Sequence, residues 1–406
     1  MKTTSPTEVS TAAKRVVLKP RKVRPFFGRH PWVLDSAVGR VEGEPADGDV
    51  VDLVSDRGQF IARGTFNSQS RLRVRLYTWQ ADEALDTAFW QKRLLTAISL
   101  RKTLGYDRPE GAARLVSSEA DGLSGLIVER YGSHIVMQET ALGMIQRLDE
   151  LLPTIVQECR PQSVAVRVDK QMVRAEGITF DDAIVHGQRD DGPVFIEEHG
   201  IRYGVDLDAG QKTGFFLDQR ENRKTAAAYA AGRRVLDVCC YTGAFSLAAL
   251  KLGGARETLG IDSSPKAIAL AQANSQLNGI ANARFEVGDA FQRLEFLAES
   301  GERFGMVVLD PPKFARNRDG VQQALRAYHH LNRLAVMALE PGGILVTCSC
   351  SGHVTREDFA FMLADVAQRT GREIQFLEMR GAAPDHPVIA TCLESEYLKC
   401  FVCRVV

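Results

Sequence analysis

No apolar run in this 406-residue chain reaches the roughly 18–20 residues that a membrane-crossing helix needs, so no span is expected. The opening stretch, MKTTSPTEVSTAAKRVVLKP, lacks the apolar segment of a secretory signal, and export is not expected either. Cysteine is too scarce for a disulfide scaffold, with eight in the whole chain, which points to the cytoplasm. Excess charge is missing too: 51 Lys+Arg balance 51 Asp+Glu. As a sum, that argues against a nucleic-acid partner. A sum hides distribution, however, and decides little. Internal repeats and low-complexity tracts are also lacking. What remains is an ordinary globular composition, 45% hydrophobic and 25% charged, long enough for two to three domains.

The charge is unevenly spread. Residues 1–80 carry 14 Lys+Arg against 8 Asp+Glu, a net +6, so the remainder carries −6. Residues 1–30 hold Lys2, Lys14, Arg15, Lys19, Arg21, Lys22, Arg24 and Arg29 against a single acid, Glu8. In RLRVRLYTW, Arg71, Arg73 and Arg75 alternate with Leu72, Val74 and Leu76, the period of a strand with arginines on one face. The expectation is a phosphate-contacting RNA face on a small β module, using Arg21, Lys22, Arg24, Arg71, Arg73 and Arg75. The plain alternative is a solvated strand face beside a frayed basic terminus.

Short strand patterns separated by Gly, Asp and Asn turns fill residues 15–80, predicting a compact β domain or small barrel. From Leu85 to Thr103, Ala88, Phe89, Leu94, Leu95 and Ile98 recur at helical spacing. Between 105 and 190, GLIVERY, HIVMQE and SVAVRV read as strands around a helix in GMIQRLDELLPTIVQEC. The DDGP stretch at 190–193 marks a boundary. Beyond it, RVLDVC, ETLGID, ARFEVG, MVVLD, GILVTCS and EIQFLE alternate with helical patterns, before a terminal YLKCFVCRVV. The predicted organisation is a β module over 1–80, a linking helix and α+β domain over 81–190, and an α/β domain over 191–406 with a mainly parallel sheet.

Ligands of such sheets sit beyond the carboxyl ends of the strands. There, acids recur. Asp237 closes the first strand, before a turn containing Gly243 that lets a ligand approach the backbone. One glycine is not the three-glycine dinucleotide fingerprint, so a dinucleotide is not favoured. Asp262 closes the second strand, where it can accept from a ribose diol, and Ser263 or Ser264 can cap the next helix. Asp289 ends the third strand, within reach of an adenine amino group. Asp310 ends the fourth, posed by two prolines that stiffen the turn. Singly, each reads as a helix cap; four in register resemble the class I methyltransferases that use S-adenosylmethionine (AdoMet, or SAM), over about the last 210 residues. That resemblance implies Asp237 and Gly243 at the methionine, Asp262 at the ribose, Asp289 and Ala290 at the adenine, and Asp310 facing the substrate base.

After the fifth strand, ILVTCSCSGHV places Cys348 and Cys350 at the tip. A thiolate there can attack C6 of a pyrimidine and make C5 nucleophilic toward a methyl donor. Two apart on a strand, the two share a face, and the pattern does not choose between them. Both are otherwise small buried residues. Cys239 and Cys240 fall in the glycine turn. Cys400 and Cys403 have the spacing of half a zinc site with no matching pair, so no metal is expected.

Taken together, DAGQKTGFFLDQRENR (208–223), VLDVCCYTGAFS (235–246), DPPKFA (310–315), SCSGHV (349–354), DHPVIAT (385–391), YLKCFVCRVV, RLVSSEADGLSGLIVERYG (114–132) and FFGRHPWV (26–33) closely resemble the bacterial ribosomal RNA large subunit methyltransferase I family. The resemblance covers nearly the whole chain. It implies a PUA domain, a central domain and a Rossmann-like seven-stranded methyltransferase domain. It also implies AdoMet as cofactor and 5-methylcytosine formation in 23S rRNA. Ser349-Cys350-Ser351 matches the family's Ser-Cys-Ser and favours Cys350 as nucleophile, with Cys348 the alternative. Other RNA 5-methylcytosine enzymes place a second cysteine where this chain has Lys313, which leaves the C5 base open. In GQKTGFFLDQRENR the expectation is a loop closing over AdoMet, with Phe215 or Phe216 against the adenine and Arg220 on a carboxylate or phosphate. The segment packs Lys212, Asp218, Gln219 and Arg223 around those rings, and the alternative is a helix start with surface charges. His386 reads as a structural loop histidine. Methylation at a guanine nitrogen, or a non-catalytic RNA-binding assembly factor, are the competing functions. Pairing with a second copy of the chain is left open.

Overall fold

Alternation builds the first core. Val16 and Leu18, Val51 and Leu53, and Val74 and Leu76 are spaced two apart on their strands and meet in one buried cluster with Ile61, Val33 and Phe26. The computed structural model describes residues 14–168, 170–207, 214–315 and 317–406, so Lys2, Glu8 and Lys212 lie outside the described residues. Two compact units result. One comprises the described residues up to 107 with 114–190 and 388–393; the other comprises 108–113, 191–387 and 394–406.

The first unit holds a six-stranded sheet in the order Trp32–Leu34, Leu72–Thr78, Phe60–Phe66, Val50–Val54, Arg15–Leu18, Val38–Glu42. A five-stranded sheet runs Ala183–Gly187, Ser163–Val168, His134–Glu139, Leu126–Tyr131, Ala112–Ser117. The β module and most of the middle segment thus share one unit. The helix Thr87–Thr103 starts at Asp86, whose side chain accepts from Phe89 N. Its buried face differs from the expected one: Leu95 is 41% exposed, while Arg101 turns inward. A 2.7 Å pair with Asp121 holds that arginine. The expected helix near 143–159 is two, Leu142–Ile145 and Leu148–Cys159.

The second unit opens with a hairpin absent from the sequence reading, Val194–Glu198 paired to Ile201–Val205. Its two-residue turn has positive φ at both His199 (52°) and Gly200 (76°), the twist that a tight hairpin requires. A seven-stranded sheet follows in the order Ala283–Val287, Glu257–Asp262, Arg234–Val238, Phe304–Leu309, Leu339–Ser349, Lys399–Val405, Ile374–Arg380. The first five strands are parallel; Lys399–Val405 inserts antiparallel. Both faces are buried, as parallel sheets require. Leu236, Val238, Val307, Leu309 and Leu345 join one cluster, while Val235, Met306, Val308, Ile344 and Val346 join the other. No described helix is long and apolar enough to cross a membrane.

Candidate active site

The strand Arg234–Val238 delivers its acid into the interior. Asp237 is fully buried and accepts from Ser246 N (3.0 Å) and Ser246 Oγ (2.8 Å), both on its Oδ2. Burial pushes this carboxyl up to about 6, against the pull of the Ser246 bonds. Its Oδ1 has no hydrogen-bond partner. A buried acceptor left open costs stability unless a ligand completes it.

The turn after this strand is strained. Cys239 (φ 61°) and Tyr241 (φ 49°) occupy the left-handed region without being glycine. Tyr241 N donates to Asp262 Oδ2 at 2.9 Å, and Ser264 N donates to Asp262 Oδ1 at 2.9 Å, so Asp262 braces the turn. Gly243 has φ 78°, and a Cβ there would stand 2.8 Å from the Phe285 ring. On the side where a Cβ would point, the glycine is packed by the protein's own aromatic side chain. Asp289 is exposed and caps the helix Ala290–Glu299, with Oδ1 accepting from Phe291 N and Gln292 N. Its cap role leaves Oδ2 uncommitted to that helix. Burial foremost, then the charges of Asp262, Asp310, Asp237 and Asp289, pushes the Cys239 thiol far up.

Asp310 follows Phe304–Leu309, its N–H donating to Val238 O at 3.3 Å. Burial foremost, then the charges of Asp218 and Asp237, lifts its carboxyl to about 7, opposed by the Gln219 amide and by Arg223. The next residue brings the cysteine tip in: Cys350 Sγ lies 3.9 Å from Pro311 O. Lys313, in the same turn, is exposed.

The two cysteines of the tip do not share an environment. Pairing of Leu339–Ser349 ends at Ser349, so Cys348 is inside the sheet opposite Cys400 while Cys350 lies beyond it. Cys348 is 0% exposed, and its thiol is raised well above the ordinary range by the Cys400 thiol and by burial. Cys350 is part-exposed between two buried serines. Ser351 Oγ meets the Tyr328 hydroxyl at 3.1 Å and accepts from Ala315 N at 3.2 Å. Lys399, Tyr397 and Tyr328 of this neighbourhood escaped sequence reasoning. Lys399 donates to Ser351 O; Asp218 accepts from the Tyr397 hydroxyl at 2.7 Å; Tyr328 fixes the serine. A lysine at the start of the terminal strand, directly before the apolar run Cys400–Cys403, was the one available signal.

Several expected roles move. Phe215 is buried against Tyr203, with Arg223 stacked 4.7 Å over its ring, so it packs the core and does not shield an adenine. Phe216, less buried, meets Tyr241 edge-on at 5.1 Å. Arg220 is buried between Glu198 (3.4 Å) and Asp385 (3.6 Å), and its carboxylates are the protein's own. Arg223 binds Glu198 through two 2.7 Å bonds, so Asp218, Arg220 and Arg223 are interior rather than surface. His386 is buried against Asp385 at 2.8 Å. In the first unit, Arg75 is only 7% exposed and pairs with Glu176 at 3.1 Å and Glu119 at 3.7 Å, which removes it from any phosphate face. Arg73 donates to the carbonyls of Asn67 and Ser68, whereas Arg21, Lys22, Arg24 and Arg71 are exposed.

This sheet order and this carboxylate-lined edge define an S-adenosylmethionine-dependent methyltransferase. The profile of that family matches residues 185–400, and a PUA-like domain profile matches residues 16–79. A SAM-dependent methyltransferase from Streptococcus mutans has the same fold, at TM-score 0.82 and 23% identity over 96% of this chain and 99% of that one. Ribosomal RNA large subunit methyltransferase I of Tolumonas auensis is 41% identical over 394 residues, covering 96% of this chain and 99% of the relative. The Erwinia tasmaniensis protein of that name is 37% identical over 395 residues, covering 97% and 99%. The chain belongs to the ribosomal RNA large subunit methyltransferase I family. Its cofactor is S-adenosylmethionine, and the site suits that molecule: the open Asp237 Oδ1 matches an ammonium donor.

Proposed function

We propose that this protein methylates carbon 5 of a cytosine in large-subunit ribosomal RNA, with Cys350 as the covalent nucleophile. The observation that carries the reading is the contrast at the cysteine tip: a part-exposed sulfur beside the Asp310-Pro311 turn, next to a sealed one. Asp237 receives the cofactor's amino group, Asp262 its ribose hydroxyls and Asp289 with Ala290 its adenine edge; bound there, the cofactor supplies an electrophilic methyl group. Cys350 attacks C6 of the base as a thiolate, which moves electron density to C5. Asp310 still holds a proton near neutral pH and donates it as a hydrogen bond to the base, offsetting the charge that develops. The exposed cations Arg21, Lys22, Arg24 and Arg71 of the PUA-like domain hold RNA phosphates. The deciding experiment is mass spectrometry of nucleosides after methyl transfer from labelled AdoMet to unmodified rRNA. Labelled 5-methylcytidine is expected. A labelled N-methylguanosine overturns the C5 chemistry, and no label at all overturns the enzyme reading.

A further inference from the structure

Lys399 is 2% exposed at the start of the strand Lys399–Val405, in register with Ser349 at the end of the neighbouring strand. An ammonium withdrawn from water is costly unless its donors are met and a negative charge stands near. Two donors are met by backbone: Nζ donates to Ser351 O at 2.7 Å and to Tyr397 O at 2.8 Å. Of the surrounding charges, Cys350 acts on Lys399 most strongly in its favour, ahead of Glu396, while Arg356 and Lys313 oppose it. Tyr328 also faces Cys350, a phenol that burial lifts to about 12 and therefore neutral.

We propose that Lys399 is a positioning residue for the nucleophile: tied to the residue after Cys350, its ammonium holds the strand end in place and keeps the sulfur a thiolate. This rests on Cys350 being the nucleophile. The proton of Sγ–H goes to bulk water. The sulfur's electron pair then forms the Sγ–C6 bond, and the displaced C5–C6 π pair takes the methyl group onto C5. The C5 proton then leaves to bulk water, its bonding pair rebuilds the double bond, and the Sγ–C6 pair returns to sulfur. Lys399 keeps its three protons throughout, stabilising the thiolate as attacker and as leaving group. Burial lowers Lys399 to about 8, so the support is present below that pH and fades above it.

The test is alkylation of the full-length protein by iodoacetamide across pH 5–10, with the Cys350 peptide followed by mass spectrometry. The wild-type inflection is expected below the ordinary thiol value of about 8.5. Lys399→Met should raise it by at least about one unit and slow alkylation at pH 7 roughly tenfold. Lys399→Arg, which keeps the charge, should restore much of the shift. An unshifted inflection in Lys399→Met, or a wild-type inflection at or above about 8.5, overturns the proposal. The second outcome needs no variant, so a misfolded mutant cannot shelter it. Because no RNA is present, a shifted profile without 5-methylcytidine production sinks the proposed function alone.

Discussion

Two strand tips of one sheet end in cysteine, and their surroundings are opposites. At Arg234–Val238 the thiol of Cys239 is ringed by Asp262, Asp310, Asp237 and Asp289, and every one of those charges discourages ionisation. At Leu339–Ser349 the sulfur of Cys350 has the Lys399 ammonium as neighbour. Cys348, two residues back, is buried against the Cys400 thiol, with the Asp310 charge also opposing its ionisation. Proximity to the reaction centre does not make a nucleophile; the sign of the local field does. The acid-rich tip is built for a cationic ligand and the lysine-backed tip for an anionic sulfur.

The harshest test of that contrast is Cys350→Ala against Cys348→Ala. The first should lower methyl transfer to rRNA by about 10⁴-fold or more, as loss of a covalent nucleophile does. The second should stay within a few-fold of wild type, and a larger loss there would invert the assignment. Next in size is Asp310→Asn, with a fall of roughly 10²–10³-fold in kcat. In wild type the acid form is needed, so kcat/KM should decline as pH rises through about 7, and the variant should lack that limb. A variant that keeps it would assign the titration elsewhere.

Asp237 sharpens the acid side. Its carboxylate must be ionised to meet an ammonium, so AdoMet affinity measured by calorimetry should weaken as pH falls below about 6. Stability runs the other way. The folded value lies above the unfolded one, so the folded state holds the proton more tightly, and ΔG of unfolding drops as pH rises from about 4 through about 6. Asp237→Asn should therefore stabilise the cofactor-free protein at pH 7 by up to about 3 kcal/mol while weakening AdoMet binding. The smallest effect belongs to Cys348→Ala, about 1–2 kcal/mol of stability from the cavity it leaves, read by urea unfolding.

Much of this was legible in the residues alone, for local reasons. Strand periods located Arg234–Val238, Glu257–Asp262 and Lys399–Val405, and Ser264 and Asp289 sit where strand-to-helix caps belong. What escaped depends on distant partners. Nothing near Arg75 announces Glu176, about a hundred residues on, which draws the arginine inside. The choice between Cys348 and Cys350 turns on where strand pairing stops, and that is set by Lys399, some fifty residues later. Phe215 and Arg220 carried the composition of a ligand-covering loop. The unpredicted hairpin supplies Glu198, which pairs with Arg220, and Tyr203, which packs on Phe215, and both residues become interior.

The burial of Arg75 has a consequence in solution. Binding to a polyanion is driven largely by release of condensed counterions, and each cation that meets a phosphate contributes about 0.7 to the logarithmic salt slope on single strands. An arginine already neutralised by Glu176 releases none. Arg75→Gln should leave that slope unchanged, while Arg24→Gln should flatten it by about 0.7. Salt titration thus counts the cations the first unit keeps at its surface, a number that the sequence's tally of arginines overstates.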